Sequence, residues 1–600
     1  MVYNESFTLP LLIKIMRNKH KTILNPFNFK NVNKAHGIIL YICLLIESKN
    51  TYKQMRTLST LLFVAAFAFL NLISSEGYSQ LNVTVNHEIE HQTMHGFGAS
   101  LAFYENWLIA HPNKQEIYDA VFGELGLDIL RVRNAYDYDA GMINRVKEFI
   151  TASEQVRGTP IPFLSTSWGP PAYLKSNNDR SNGGTLKYTV DENGNVTFDY
   201  EGFAEWWDAS LNHYEANGVY PTYVSIQNEP DYTATWESCR FHPFERVNAE
   251  DTIAGYNKAL EAFHAKISQR EHIPQILGPE PIGVGYNSLR NYLLHLDKSL
   301  IDGVAFHLYH GVDPDNPWAT SEIKTAGNLA PELPYHQTEY ERSDWFNISG
   351  LIYKSLVDAN VVSYYYWDLI WENGGLVSLD FPWDRNRWSN TKGYTKTKKY
   401  YAFMQFSAFV HKGWKRVETT LPNTDVSAVS FINPSGDTTS VVIINRSIQN
   451  EREVAINFEN FNYDISNIYQ TSENTDCDLL GELDASTLTV PKRSITTIQF
   501  VDTTTSNNVN ALKKDQVKSS FYPNPLNKTA TISFSLPDSD QLSLVVFNSN
   551  GKIARKEIIN NEANSNQYTF HRNGLNNGLY LYRIENKNGI SHSGRFIISD

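Results

Sequence analysis

Cysteine is scarce: Cys43, Cys239 and Cys477 are the only three in 600 residues. They make no disulfide framework and match no CxxC zinc pattern, although Cys239 and Cys477 could pair with each other. No glycine-rich phosphate loop follows the first strand-like runs, which weighs against an open nucleotide-binding sheet. No G-x-S-x-G elbow occurs, so a serine-hydrolase nucleophile is missing. Basic residues are outnumbered: Lys+Arg 52 against Asp+Glu 65 gives a net charge of −13. A general affinity for nucleic acid or anionic lipid is thereby disfavoured. Long apolar runs are also missing, because Leu61–Leu70 is too short for a stable membrane span.

Aromatics, by contrast, are plentiful at 13%, with 12 Trp and 34 Tyr, and rings of this kind suit flat apolar ligand faces as well as cores. Hydrophobic residues at 41% and charged residues at 20% exclude global disorder. The length predicts three or four folding units. At the N-terminus, Met55-Arg-Thr, the apolar run and the polar stretch Ser74–Gln80 have the layout of a secretory signal peptide. Residues 1–54 are read as an extension from an upstream start codon and 55–79 as the leader.

Between residues 95 and 410, short β-rich runs alternate with helix-like stretches. The predicted strands are His95–Ala99, Ile129–Asn134, Ile161–Trp168, Tyr223–Glu229, Gln275–Glu280, Gly303–Tyr309, Tyr335–Tyr340 and Val362–Trp367. Predicted helices include Glu201–Asn217, Ala249–Ser268 and Tyr400–Phe409. Eight strands with intervening helices predict an α/β fold, a (β/α)₈ TIM barrel. Residues 81–94 and 411–501 read as a side β-sandwich of antiparallel strands, with a turn at Pro434-Ser-Gly-Asp437. A polar linker is expected at 502–518. From 519 to 600 a small Ig-like β domain follows, with a hairpin turn at Asn550-Gly551.

In such a barrel, chemistry gathers where strands end. The fourth predicted strand runs into Asn228-Glu229-Pro230 and the seventh into Glu339-Tyr340. Two carboxylates at one barrel mouth suit glycosidic cleavage with retention, which needs them about 5–5.5 Å apart, one protonated and one ionised. His307-Leu-Tyr-His310 lies on a strand and lacks the Glu of HExxH, so His307 reads as a hydrogen-bonding barrel residue and no catalytic metal or cofactor is expected.

These strings resemble a known family. His95-Gly-Phe-Gly98, Leu130-Arg-Val-Arg133, Trp168-Gly-Pro-Pro171, Gln227-Asn-Glu-Pro-Asp231 and Trp236-Glu-Ser-Cys239 are similar, in this order, to glycoside hydrolase family 30 of the xylanase type, glucuronoxylanases included. The resemblance implies Glu229 as acid/base, Glu339 as nucleophile and Asn228 as a donor to the sugar 2-hydroxyl. It implies that Arg131 supports the nucleophile, with a structural ion pair as the alternative. Trp168 and Trp367 would be stacking walls, and Tyr309 and Tyr340 hydroxyl donors. The implied activity is a secreted retaining endo-β-1,4-xylanase. The alternatives are a β-1,6-glucan or β-1,6-galactan hydrolase of the same family, or a catalytically silent glycan-binding protein. The Arg that binds a glucuronate branch is missing after the eighth strand, where Trp367-Asp-Leu-Ile-Trp371 stands. Arg385 and Arg387 could return a guanidinium from a longer loop, or belong to a solvated loop.

The tail motifs Phe521-Tyr-Pro-Asn-Pro525, Gly578-Leu-Tyr-Leu-Tyr-Arg-Ile584 and Gly594-Arg-Phe-Ile-Ile598 resemble the sorting domain of the type IX secretion system. That implies the secretion machinery as a partner and a secreted or surface-attached product. The remaining partner expectation is a xylan-type polysaccharide, with neither nucleic acid nor a stable membrane span.

Overall fold

In the computed structural model, the described residues are 80–388, 391–423, 425–459, 463–480, 487–502, 519–534, 541–548, 553–560, 567–586 and 591–599. The leader, Cys43, the linker at 503–518 and the Asn550-Gly551 turn lie outside them. Among the described residues no helix is long and apolar enough to cross a membrane.

Eight parallel strands close into a barrel: β1 Gly96–Leu101, β2 Ile129–Arg133, β3 Phe163–Thr166, β4 Tyr223–Ser225, β5 Gln275–Pro279, β6 Gly303–His307, β7 Tyr335–Glu339 and β8 Val361–Tyr366. Each falls where the sequence places it, within a few residues. Side chains alternate in and out along a strand, so residues i and i+2 share a face. Ile129, Leu164, Tyr223, Leu277, Ala305 and Tyr365 form a separate small apolar cluster drawn from six strands. Two residues further along the chain come Arg131 on β2, His307 on β6 and Trp367 just past β8. The plug and the polar site above it are thus successive layers of one alternating pattern. Gly98 permits this plug, because a Cβ there would lie 2.6 Å from the Tyr365 ring and 2.7 Å from Ile129.

The helix Tyr200–Ala216 is capped by Asp199, whose side chain accepts from the Gly202 amide. It buries Phe203, Trp207, Leu211 and Tyr214, a stripe at helical spacing. The next long helix starts at Tyr256, later than expected. Arg246–Val247 and Thr252–Ile253 pair as a small hairpin arm instead. Extended Gly255 then ends the arm and opens the helix, whose buried face is Tyr256, Ala259, Leu260, Phe263 and Ile267.

Beside the barrel, nine strands hydrogen-bond in one continuous order around a shared core that includes Val83, Val417, Val441, Ile468 and Ile498. Leu81–Thr93 joins this sandwich, as the sequence suggests, but only one of its two pairings is antiparallel. It runs antiparallel to Lys415–Thr420 and parallel to Arg452–Phe458. Cys239 and Cys477 are free and buried, so they do not pair. Among its described residues, the C-terminal unit has two sheets, of three and four strands. Phe521, Ile532, Leu544, Phe570 and Phe596 are in its own core.

Candidate active site

Glu339 is the last residue of β7, in register with His307 of β6. Glu229 lies four residues past the end of β4, and Glu280 immediately after β5. Both have left-handed backbones, with φ of 43° and 62°. Residues other than glycine rarely adopt that region, and cross-strand bonds hold them there. The Glu229 amide donates to the Glu280 carbonyl at 3.0 Å, and the Glu280 amide to the Ala305 carbonyl at 2.9 Å.

Arg131 organises the floor. Its Nη1 donates to Glu339 Oε2 at 2.6 Å, and its Nη2 donates to Asn228 Oδ1 at 2.6 Å and lies 3.1 Å from Glu280. The Trp168 ring covers its guanidinium, 4.4 Å from ring centroid to Cζ. Tyr309 donates its hydroxyl to the other Glu339 oxygen at 3.0 Å. Both oxygens of Glu339 therefore accept hydrogen bonds, which fixes the orientation of its carboxylate. His307 bridges the acids, with Nδ1 3.1 Å from Glu229 Oε1 and Nε2 3.6 Å from Glu280.

Three carboxyls here share two cations, so charge balances when one acid keeps its proton. Burial, then the Glu339 and Asp231 charges, push Glu229 upward, while the hydrogen bond and charge of His307 oppose them. Against the cost of burial, Arg131 and then His307 pull Glu280 down to about 2. Burial alone would lower His307, but Glu339, Glu229 and Glu280 raise it to about 9. Glu229 is thus raised and Glu280 lowered by their surroundings.

Above this floor opens a cleft of about 360 Å³. Trp168 and Trp367 stand as walls, ring centroids 5.7 Å apart, with Phe103 edge-on to both. Asn228, Glu229, Tyr309 and Glu339 all line the cleft. The Asn228 amide nitrogen makes no hydrogen bond among the described residues, which leaves it free to donate into the cleft. Tyr340 does not reach the cleft. It is buried, and its ring packs 5.3 Å from that of Tyr309. It supports Tyr309 rather than offering a group of its own.

Arg385 and Arg387 also stay outside the cleft. Arg387 lies over Phe381 and pairs with Glu372 at 3.1 Å, while Arg385 lies over Trp388. The guanidinium that lines the cleft belongs to Arg342, after β7. Sequence reasoning passed over Glu280, although it ends a predicted strand just as the two chosen acids do. Phe103, Trp236 and Arg342 sit on loops, where alternation gives no signal, and Trp371 ends a two-residue strand too short to show one.

Residues 413–498 match the glycosyl hydrolase family 30 beta sandwich domain, and residues 520–599 match the secretion system C-terminal sorting domain. The chain is 25% identical over 404 residues to the glucuronoxylanase XynC of Bacillus subtilis (strain 168), covering 64% of this chain and 83% of that protein. The chain resembles xylanase-type glycoside hydrolases and carries a type IX sorting tail. The fold agrees with this kinship. The family 30 subfamily 8 xylanase Xyn30A of Clostridium acetobutylicum superposes with a TM-score of 0.53 at 22% identity, covering 70% of this chain and 99% of the other. The endo-beta1,6-glucanase BT3312 shares the fold at a TM-score of 0.51 and 15% identity, covering 71% and 94%. The tail marks the hydrolase for the cell surface or the medium.

Proposed function

We propose that the hydrolase cleaves β-1,4-xylan within the chain, with retention, by double displacement. One observation carries this reading: a carboxylate oxygen of Glu229, one of Glu339 and a nitrogen of His307 all lie within 4.8 Å of one another. Such close acids suit a covalent intermediate better than the wider gap that would admit a water between them. Glu339, oriented by Arg131 and Tyr309, attacks the anomeric carbon. Glu229 gives its proton to the departing glycosidic oxygen as that bond breaks. A water then enters, Glu229 takes its proton, and the resulting hydroxide attacks the anomeric carbon and releases Glu339. The free amide of Asn228 donates to the sugar 2-hydroxyl, a bond that strengthens as charge develops. Trp168 and Trp367 supply flat apolar walls for the sugar ring.

Kinship with the glucuronoxylanase favours xylan over the β-1,6-linked glycans. The leader at 55–79 would bring the chain to the periplasm, and the tail at 519–600 would pass it across the outer membrane. The test is digestion of purified neutral xylan, glucuronoxylan, β-1,6-glucan and β-1,6-galactan, with products sized by chromatography. A ladder of oligosaccharides from xylan alone supports the reading. Products from a β-1,6-glycan alone, or none from any polymer, would overturn it.

A further inference from the structure

Asp231 closes the Gln227-Asn-Glu-Pro-Asp231 run yet takes no part in the chemistry above. Its carboxylate ties down both ends of the loop that follows β5. Oδ1 accepts from the Ile282 amide at 3.0 Å, and Oδ2 accepts from the Ser288 hydroxyl. Between these ties, the Val284 and Gly285 amides both donate to the His310 carbonyl, at 2.9 and 3.0 Å. The two loops touch so closely that a Cβ on Gly283 would lie 2.3 Å from the His310 oxygen. His310 directly follows Tyr309, which holds Glu339. The loop is thus fastened to the acid/base motif on one side and to the nucleophile's support on the other.

This frame carries Tyr286 and Asn287 with φ of 55° and 59°, two successive left-handed residues. Tyr286 is 87% exposed, and its one ring contact is edge-on with His310 at 5.8 Å. A rigid loop here holds a large ring out in water with its faces bare. Such pre-organisation lowers the cost of binding a flat apolar partner. Ile282, at the start of the same loop and four residues before Tyr286, lines the cleft. The loop also adjoins Glu229, through the bond from the Glu229 amide to the Glu280 carbonyl.

We propose that Tyr286 is a stacking platform for a pyranose of the bound polysaccharide, beyond the central cleft, and that Asp231 is its positioning residue. This rests on the glycanase reading above and adds to it a subsite that favours long chains over short ones. The experiment compares kcat/KM of wild type, Tyr286→Ala and Tyr286→Trp on polymeric xylan and on a nitrophenyl xylobioside too short to reach the platform. Tyr286→Ala should lose about five- to tenfold on the polymer while staying within about twofold on the xylobioside, and Tyr286→Trp should keep polymer activity. An unchanged polymer-to-xylobioside ratio in Tyr286→Ala, or a Tyr286→Trp enzyme as impaired as the alanine variant, would overturn the subsite. Wild-type inactivity on both substrates would remove the xylanase reading itself, and the subsite with it.

Discussion

Arg131 Nη2 lies 3.1 Å from the Glu280 carboxylate, and neither side chain reaches solvent. Removing two ions from water is costly, and one contact seldom repays it. Here Arg131 also binds Glu339 and Asn228, while Glu280 also faces His307. The pair is the keystone of a charge set that orients Glu339 and holds Glu280 low while Glu229 is raised.

Glu280→Gln removes one carboxylate while keeping its shape. It leaves Arg131 and His307 short of counter-charge inside the barrel. Stability should fall by about 3 kcal/mol, the scale for breaking a buried pair. Urea unfolding near pH 5.5 measures this, and a loss under about 0.5 kcal/mol would mean that the pair is not structural.

Stability should also depend on pH in a stated direction. Glu280 is held at about 2, below its ordinary 4.5, so its contribution is present above pH 4.5 and is lost as pH falls towards 2. His307 is raised from 6.5 to about 9, so its contribution is complete below pH 6.5 and is lost as pH rises through 9. Unfolding free energy should therefore be greatest between about pH 4.5 and 6.5. In His307→Asn the decline from pH 6.5 to 9 should flatten. An alkaline slope unchanged in that variant would assign the effect elsewhere.

Tyr309 gives Glu339 one of its two hydrogen bonds. Tyr309→Phe deletes that bond and keeps the ring. A fall in kcat of roughly tenfold with KM nearly constant is expected, since one bond to a charged group is worth about 1.5–3 kcal/mol at most. Steady-state kinetics on xylan decide between this and a rise in KM alone, which would make Tyr309 a binding residue only.

Glu229, His307 and Glu339 place ligand atoms close enough for a metal ion. His307 is raised to about 9, however, and a protonated imidazole has no lone pair to give. Exhaustive chelation should leave xylan hydrolysis unchanged at pH 6. Activity lost to chelation and restored by a divalent ion would overturn that expectation.

Much of this was legible in the sequence. The eight barrel strands are short apolar runs bounded by helices of 3.6-residue periodicity, and alternation alone places Arg131, His307 and Trp367 one layer above the plug. Glu229 and Glu339 stood out because each ends or follows a strand. Glu280 carried the same signal, and only the fold shows that it shares Arg131 with Glu339. The cleft rim was not legible, because Phe103, Trp236 and Arg342 lie on loops whose path depends on packing between distant segments. Tyr340 was misplaced for a related reason: it follows the strand-end acid, but its side chain turns behind Tyr309 into the core.

The most direct measurement is the anomeric configuration of the first product, followed by proton NMR during hydrolysis, together with mass spectrometry of enzyme treated with a 2-fluoro xylobioside. The account requires the β-anomer to appear first and the trapped sugar to sit on Glu339. Initial release of the α-anomer, or a label on any residue other than Glu339, would contradict it.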